Sequence, residues 1–151
     1  MNTNLQPTIT LNNGVKIPQL GLGVWKTPLD ETRTMVKTAL ANGYVLLDTA
    51  KQYGNEAGVG AGIQDAITAG IVNREQIFLT TKIFNGDQGD YDRVRRGFEG
   101  QLKDLQTDHV DLLLEHWPVN GKFNETWRAM EAILKDGQYA PLGSAISIMG
   151  G

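Results

Sequence analysis

The sequence predicts an α/β fold, a parallel sheet of alternating strands and helices preceded by a short β-hairpin. Three observations carry that reading. Strand-length apolar runs alternate with segments of helical periodicity between Leu20 and Gln138. Three of those runs end in polar residues, Asp48, Lys82 and His116, each 34 positions from the next. That interval fits one strand plus one crossover helix, the repeat that gives parallel strands right-handed connections. Upstream, in Thr8 to Ile17 (TITLNNGVKI), two β-like pieces flank Asn12-Asn13-Gly14, a hairpin signal.

The elements follow in order. LGLGVW, from Leu20, reads as a strand. Asp30 to Ala41 reads as a helix with Met35, Val36, Ala39 and Leu40 on one face, stopped by Asn42-Gly43. YVLLDTA, from Tyr44, is a strand. Asn55 to Ala69 is a helix with Val59, Ile63, Ala66 and Ile67 inward. Ile77 to Phe84 (IFLTTKIF) is a strand. Asp90 to Leu105 is a helix whose start carries Asp90 and Asp92, where the dipole favours negative charge. Val110 to His116 (VDLLLEH) is a strand. Thr126 to Asp136 is a helix carrying Trp127, Met130 and Leu134, ended by Gly137. Tyr139 to Ile148 is a last, weaker strand. The chain thus reads as one domain over 1–151: a hairpin at 8–17, βα repeats over 20–138, and a final strand and tail over 139–151.

Composition bounds the function. The 151 residues are 40% hydrophobic and 21% charged, with a net charge of −3 and no cysteine. This is an ordinary globular balance. With no basic run, nucleic acid and anionic membranes are poor partners. Disulfide and thiolate chemistry are excluded, and no stretch reaches the roughly 18 apolar residues of a membrane span. The N-terminus MNTNLQPT is not a signal peptide, so a cytoplasmic location is expected.

In a parallel sheet, sites form at the carboxyl ends of the strands. Asp48, Lys82 and His116 are therefore expected on one rim, with Tyr53 in the loop beyond Asp48. A tyrosine's ordinary pKa near 10 is too high for fast proton transfer at neutral pH, and a neighbouring Lys82 cation would lower it. Asp48 would hold that lysine, and His116 could orient a substrate oxygen or share the proton transfer. Such a set protonates a carbonyl oxygen. It suits carbonyl reduction if a nicotinamide supplies the hydride. Each residue alone has a plainer reading: a surface lysine, a structural histidine, a capping Asp48. The shared period argues against coincidence. Trp25 and Trp117 read by default as core, although each follows a strand and could line an apolar pocket. The GVGAGI run from Gly58 lies inside a helix and reads as close helix packing, not phosphate binding.

The motifs GLGVW, DTAKQYGNE, FLTTKIFN, DLLLEHWP and the helix around TWRAMEAILKDG resemble, in order and spacing, the aldo-keto reductase family. The resemblance runs to Gln138. It implies a TIM-type (β/α)8 barrel, an N-terminal hairpin plugging its bottom, and reduction of aldehydes and ketones with NADPH. By position, Asp48, Tyr53, Lys82 and His116 fall on the family's catalytic tetrad. Tyr53 is the implied acid, Lys82 and Asp48 its tuning pair, and His116 the carbonyl orienter. Trp25, Phe84 and Trp117 fall on substrate-pocket positions. The cofactor-binding residues are not identified, and no metal is implied.

A barrel of this type needs roughly 250 residues and eight strands. The expected fold is therefore the (β/α)4 half of a (β/α)8 barrel plus a fifth strand. Several positions depart from the family pattern. Val45 and Leu46 stand where Arg-His is usual. Glu115 replaces an aliphatic residue and, by strand alternation, points toward the helix layer, where an unpartnered carboxylate would be costly. His109 replaces a tyrosine. Ala145 and Ile146 replace the Ser-Asn pair that holds the nicotinamide amide. These changes suggest an engineered half-barrel, inactive alone. Its alternative is a self-associating scaffold with idle catalytic residues. Leu46, Phe78, Leu112 and Leu114 would lie exposed on the open inner face, and a two-fold homodimer would cover it.

Overall fold

The computed structural model describes residues 6–136 and the backbone of 145–148. A hairpin opens the chain, with β1 (Thr8–Thr10) antiparallel to β2 (Lys16–Pro18). Its loop closes through Leu11 N–H donating to the Val15 carbonyl at 2.8 Å, with Gly14 at φ 86°, a conformation glycine adopts without strain. The expected Asn-Asn-Gly turn is thus present, one residue longer at its far strand than read from the sequence.

Then come β3 (Gly21–Gly23), α1 (Leu29–Ala41), β4 (Leu46–Asp48), α2 (Glu56–Thr68), β5 (Phe78–Ile83), α3 (Tyr91–Leu105), β6 (Leu112–Glu115), α4 (Phe123–Lys135) and β7 (Ala145–Ile148). The strands form one parallel sheet in the order β3-β4-β5-β6-β7. Sequence order equals spatial order, as in an opened barrel wall. Strands are shorter than their apolar runs, because the run ends belong to the loops that enter and leave the sheet. α4 starts three residues before the expected Thr126, and Thr126 itself is buried, its hydroxyl accepting the Gly89 N–H at 2.9 Å.

Local chemistry accounts for the helix ends. Asp90 accepts the Arg93 N–H at 2.9 Å and caps α3. Gly43, at φ 88°, follows the end of α1. The core lies between sheet and helices. Leu47 pairs in register with Leu79, and both are fully buried with Val36, Val59, Ile63, Phe98 and Met130. Each such side chain contributes about 1.5–3 kcal/mol. Val59, Ile63 and Ala66 point inward as expected, with Ile67 partly so. Met35 does not. It is 38% exposed, and Thr32 takes the buried place one turn earlier. Leu134 and Trp127 are only half-buried, because Ala129, Met130 and Ile133 form the inward stripe of α4.

The glycine run behaves as its helical setting demands. A Cβ on Gly60 would lie 2.5 Å from the Asp104 carbonyl oxygen, and one on Gly62 2.6 Å from that of Arg33. α2 thereby sits with its backbone against α1 on one side and α3 on the other.

The inner face of the sheet departs from expectation. Leu46 and Leu112 are half-buried, and Phe78 and Leu114 are buried, so this face is not openly exposed. Parallel register sets Leu46 beside Phe78 and Leu114 beside Lys82, so neighbouring inward side chains cover one another, and Leu46 also lies over Gly21. Among the described residues, no helix is long and apolar enough to cross a membrane.

Candidate active site

The rim of the sheet brings the four expected polar residues together. β4 ends at Asp48, β5 carries Lys82 one residue before its end, and His116 directly follows β6. Tyr53 closes the 3-10 turn Lys51–Tyr53, which ends at Gly54 in the left-handed region (φ 71°).

Lys82 is the centre. Its side chain is 1% exposed, yet its ammonium is fully committed. Nζ donates to Asp48 Oδ1 at 2.8 Å, to the Thr49 carbonyl at 2.9 Å and to Tyr53 Oη at 3.2 Å. Three donors thus meet three acceptors, and no N–H is left over. The Tyr53 ring meets the His116 ring edge-on, with centroids 5.9 Å apart. His116 is held below the usual imidazole range, first by burial and then by the Lys82 charge, with Asp48 opposing. Its Nδ1 is buried without a partner among the described residues.

The three pocket candidates separate. Trp117 stacks on His116, with centroids 6.2 Å apart and planes 11° from parallel. It is 49% exposed, and Trp25 is 66% exposed. Neither is a core residue, contrary to the default reading. A ring that follows the last strand residue sits on the rim, above the layer that could bury it. Trp25 carries the Lys26 ammonium 4.5 Å from its ring centroid. Phe84, half-buried, directly follows β5.

The positions expected to depart from the family pattern lie as follows. Glu115 pairs in register with Ile83, a member of the core behind the sheet, so it faces the helix layer. It is fully buried, both carboxyl oxygens lack a partner among the described residues, and burial pushes its pKa up to about 7. Val45 and Leu46 are half-buried. His109 Nδ1 meets Asp108 Oδ1 at 2.5 Å at the opposite end of the sheet. The side chains of Ala145 and Ile146, and the tail beyond Ile148, lie outside the described residues.

Sequence reading missed a second polar group behind the rim. Glu56, Thr81 and Gln101 are all buried, and Thr81 Oγ1 donates to Glu56 Oε2 at 2.7 Å. Asn55, before Glu56, uses its amide on the Val24 and Thr27 carbonyls. The only sequence signal was the Asn-Glu pair at a helix start, which reads as ordinary capping.

A search against protein-family models matches the Aldo/keto reductase family over residues 18–145. The chain belongs to the aldo/keto reductase family. It is 46% identical over 144 residues to an uncharacterized oxidoreductase of Bacillus subtilis, covering 95% of this chain and 51% of that protein. It is 45% identical to the glyoxal reductase of the same organism, covering 95% of this chain and 50% of the relative. Among solved structures, an aldo/keto reductase from Brucella melitensis superposes with a TM-score of 0.84 at 44% identity, over 95% of this chain and 53% of that one. A Bombyx mori aldo-keto reductase in complex with NADP gives 0.85 at 35%, over 95% of this chain and 50% of that one. The chain spans about half the length of the curated relatives it matches. The aldo/keto reductase reading of the sequence is borne out, and the α/β fold with its five-stranded parallel sheet matches about half of each barrel-type neighbour. The Gly58–Gly62 run is filled by neighbouring backbone and offers no phosphate cradle.

Proposed function

We propose that this chain carries the proton-donating side of an NADPH-dependent reduction of small aldehydes and ketones, and that by itself it does not turn substrate over. The observation that carries the reading is the Lys82 ammonium bonded at once to Asp48 and to the Tyr53 hydroxyl. In that role, Tyr53 gives its proton to the substrate oxygen, and Lys82 stabilises the phenolate that remains. Asp48 keeps the lysine charged and aimed. His116, its pKa lowered by burial, would hold the carbonyl beside Tyr53. Trp117, Trp25 and Phe84 would contact the substrate's apolar part. NADPH, when bound, supplies the hydride. Positioning of that donor accounts for many powers of ten in rate, which an intact proton donor cannot replace.

The test begins with an NADPH titration followed by tryptophan fluorescence, and glyoxal serves as the trial substrate because one relative is named a glyoxal reductase. The chain alone should give no saturable quenching. Fused to the second half of that relative, it should reduce glyoxal, and Tyr53→Phe should cut turnover about 10²–10⁴-fold. Full activity of the fused Tyr53→Phe variant would sink the proposal.

A second reading treats the chain as an engineered, self-associating half-barrel scaffold in which the tetrad is idle. It draws on the two sheet edges, β3 and β7, and on half-buried Leu46 and Leu112. A second copy would cover them. A two-fold dimer by native mass spectrometry, together with an inactive fusion, would favour this reading. A stable monomer would end it.

A further inference from the structure

Tyr53, Asn55 and Glu56 are close neighbours in sequence, and Thr81 precedes Lys82. Those covalent links and two hydrogen bonds close a ring. The chain runs from Tyr53 to Glu56. Glu56 Oε2 accepts from Thr81 Oγ1 at 2.7 Å, Thr81 leads to Lys82, and Lys82 Nζ returns to Tyr53 Oη at 3.2 Å. Gln101, from α3, locks the far side of the ring. Its Nε2 lies 3.2 Å from Glu56 Oε2, 2.9 Å from Thr81 Oγ1 and 3.1 Å from the Lys82 carbonyl. Asn55 braces the same turn in the other direction. Its Nδ2 donates to the Val24 carbonyl at 2.8 Å and the Thr27 carbonyl at 3.0 Å, on either side of Trp25. Asn55 stands just before α2, yet its side chain caps no helix N–H.

We propose that Asn55 and Glu56 are positioning residues, which fix the turn carrying Tyr53 against the strand carrying Lys82 and the loop carrying Trp25. Geometry favours this over simple core filling. All of these bonds join segments distant in sequence, and they converge on the two residues whose 3.2 Å contact makes the proton donor. A shift of Glu56 passes to Tyr53 through the two residues between them, Gly54 and Asn55. A shift of Thr81 passes directly to Lys82.

The brace also holds a titratable group. Burial pushes the Glu56 pKa up to about 7, against the hydrogen bonds of Thr81 and Gln101 and the charge of Lys51, and with the charge of Asp104. Near neutral pH its proton exchanges, so the Lys82–Tyr53 contact should respond to the same titration. The inference rests on the tetrad reading above. Its test measures a contact, not turnover, so a chain that reduces no carbonyl can still pass or fail it.

The experiment is NMR of the whole chain. The wild type should give a slowly exchanging Lys82 ammonium resonance with a nuclear Overhauser contact to the Tyr53 ring. Glu56→Gln, which retains an acceptor oxygen, should keep both, and Glu56→Ala should lose them while the amide dispersion of the fold persists. Asn55→Ala should weaken the contact. If Glu56→Ala does not fold, Thr81→Val, which removes the donor at similar volume, gives the same reading. With pH, the Gln101 side-chain amide and the Lys82 ammonium should shift with one shared midpoint near 7, absent in Glu56→Gln. An unchanged Lys82–Tyr53 contact in the folded variants, or the absence of a shared midpoint, would overturn the proposal.

Discussion

Glu56 and Glu115 are two buried carboxyls behind the same sheet, and burial raises both to about 7. Their surroundings differ. Glu56 accepts from Thr81 and Gln101, while both oxygens of Glu115 are unpartnered among the described residues. Similar upward shifts can therefore accompany opposite roles. A partnered carboxyl ties elements together, and removing it leaves the partners' donors stranded. An unpartnered one only costs stability, and removing it relieves the fold.

The largest effect should come from Glu56→Ala, which leaves the buried Thr81 hydroxyl proton without its acceptor, removes one of the contacts of the Gln101 amide, and should cost about 3 kcal/mol in urea denaturation. A loss below about 1 kcal/mol would mean that the network adds little to stability. Next, Glu115→Leu places an aliphatic side chain behind the sheet and should gain about 1–2 kcal/mol, read as a higher denaturation midpoint. If it destabilises instead, Glu115 has a partner worth keeping.

The pH dependence sharpens the comparison. Both carboxyls bind their protons more tightly folded than unfolded. Their stabilising effect is complete below the unfolded value of 4.5 and is lost as pH rises to about 7. His116, held low, works the other way, with stability falling as pH drops below 6.5. Subtracting the profile of Glu115→Leu cancels His116 and leaves one decline between pH 4.5 and 7. A flat difference would mean Glu115 titrates normally. The smallest effect is Asp104→Asn, which removes a negative charge that raises Glu56. It should lower the Glu56 midpoint slightly and leave Glu115 unmoved, as followed by carboxyl carbon shifts.

Much of this was legible in the sequence. The 34-residue spacing of Asp48, Lys82 and His116 announced a common rim, because a strand and its crossover must return to the same edge. The glycines of α2 read correctly as packing, since the run lies inside the helix. Alternation placed Glu115 behind the sheet. Other features were not legible. Met35 shares the helical period of Val36, but α1 turns it to solvent and buries Thr32. Trp25 and Trp117 are apolar enough for a core, yet they sit past the strand ends, where both stay largely exposed. The Glu56–Thr81–Gln101 group joins three elements. None of its residues is unusual alone, and only their convergence gives the polar atoms partners.

By itself, the sequence determined the order of strands and helices, the hairpin, and which polar residues reach the rim, because periodicity and chain connectivity are local and additive. The tertiary structure alone decided that Lys82 has no free donor, that burial and the Lys82 charge lower the His116 pKa, and that one buried glutamate is braced while another has no partner among the described residues. Those depend on distances and desolvation between segments that meet only when the sheet forms.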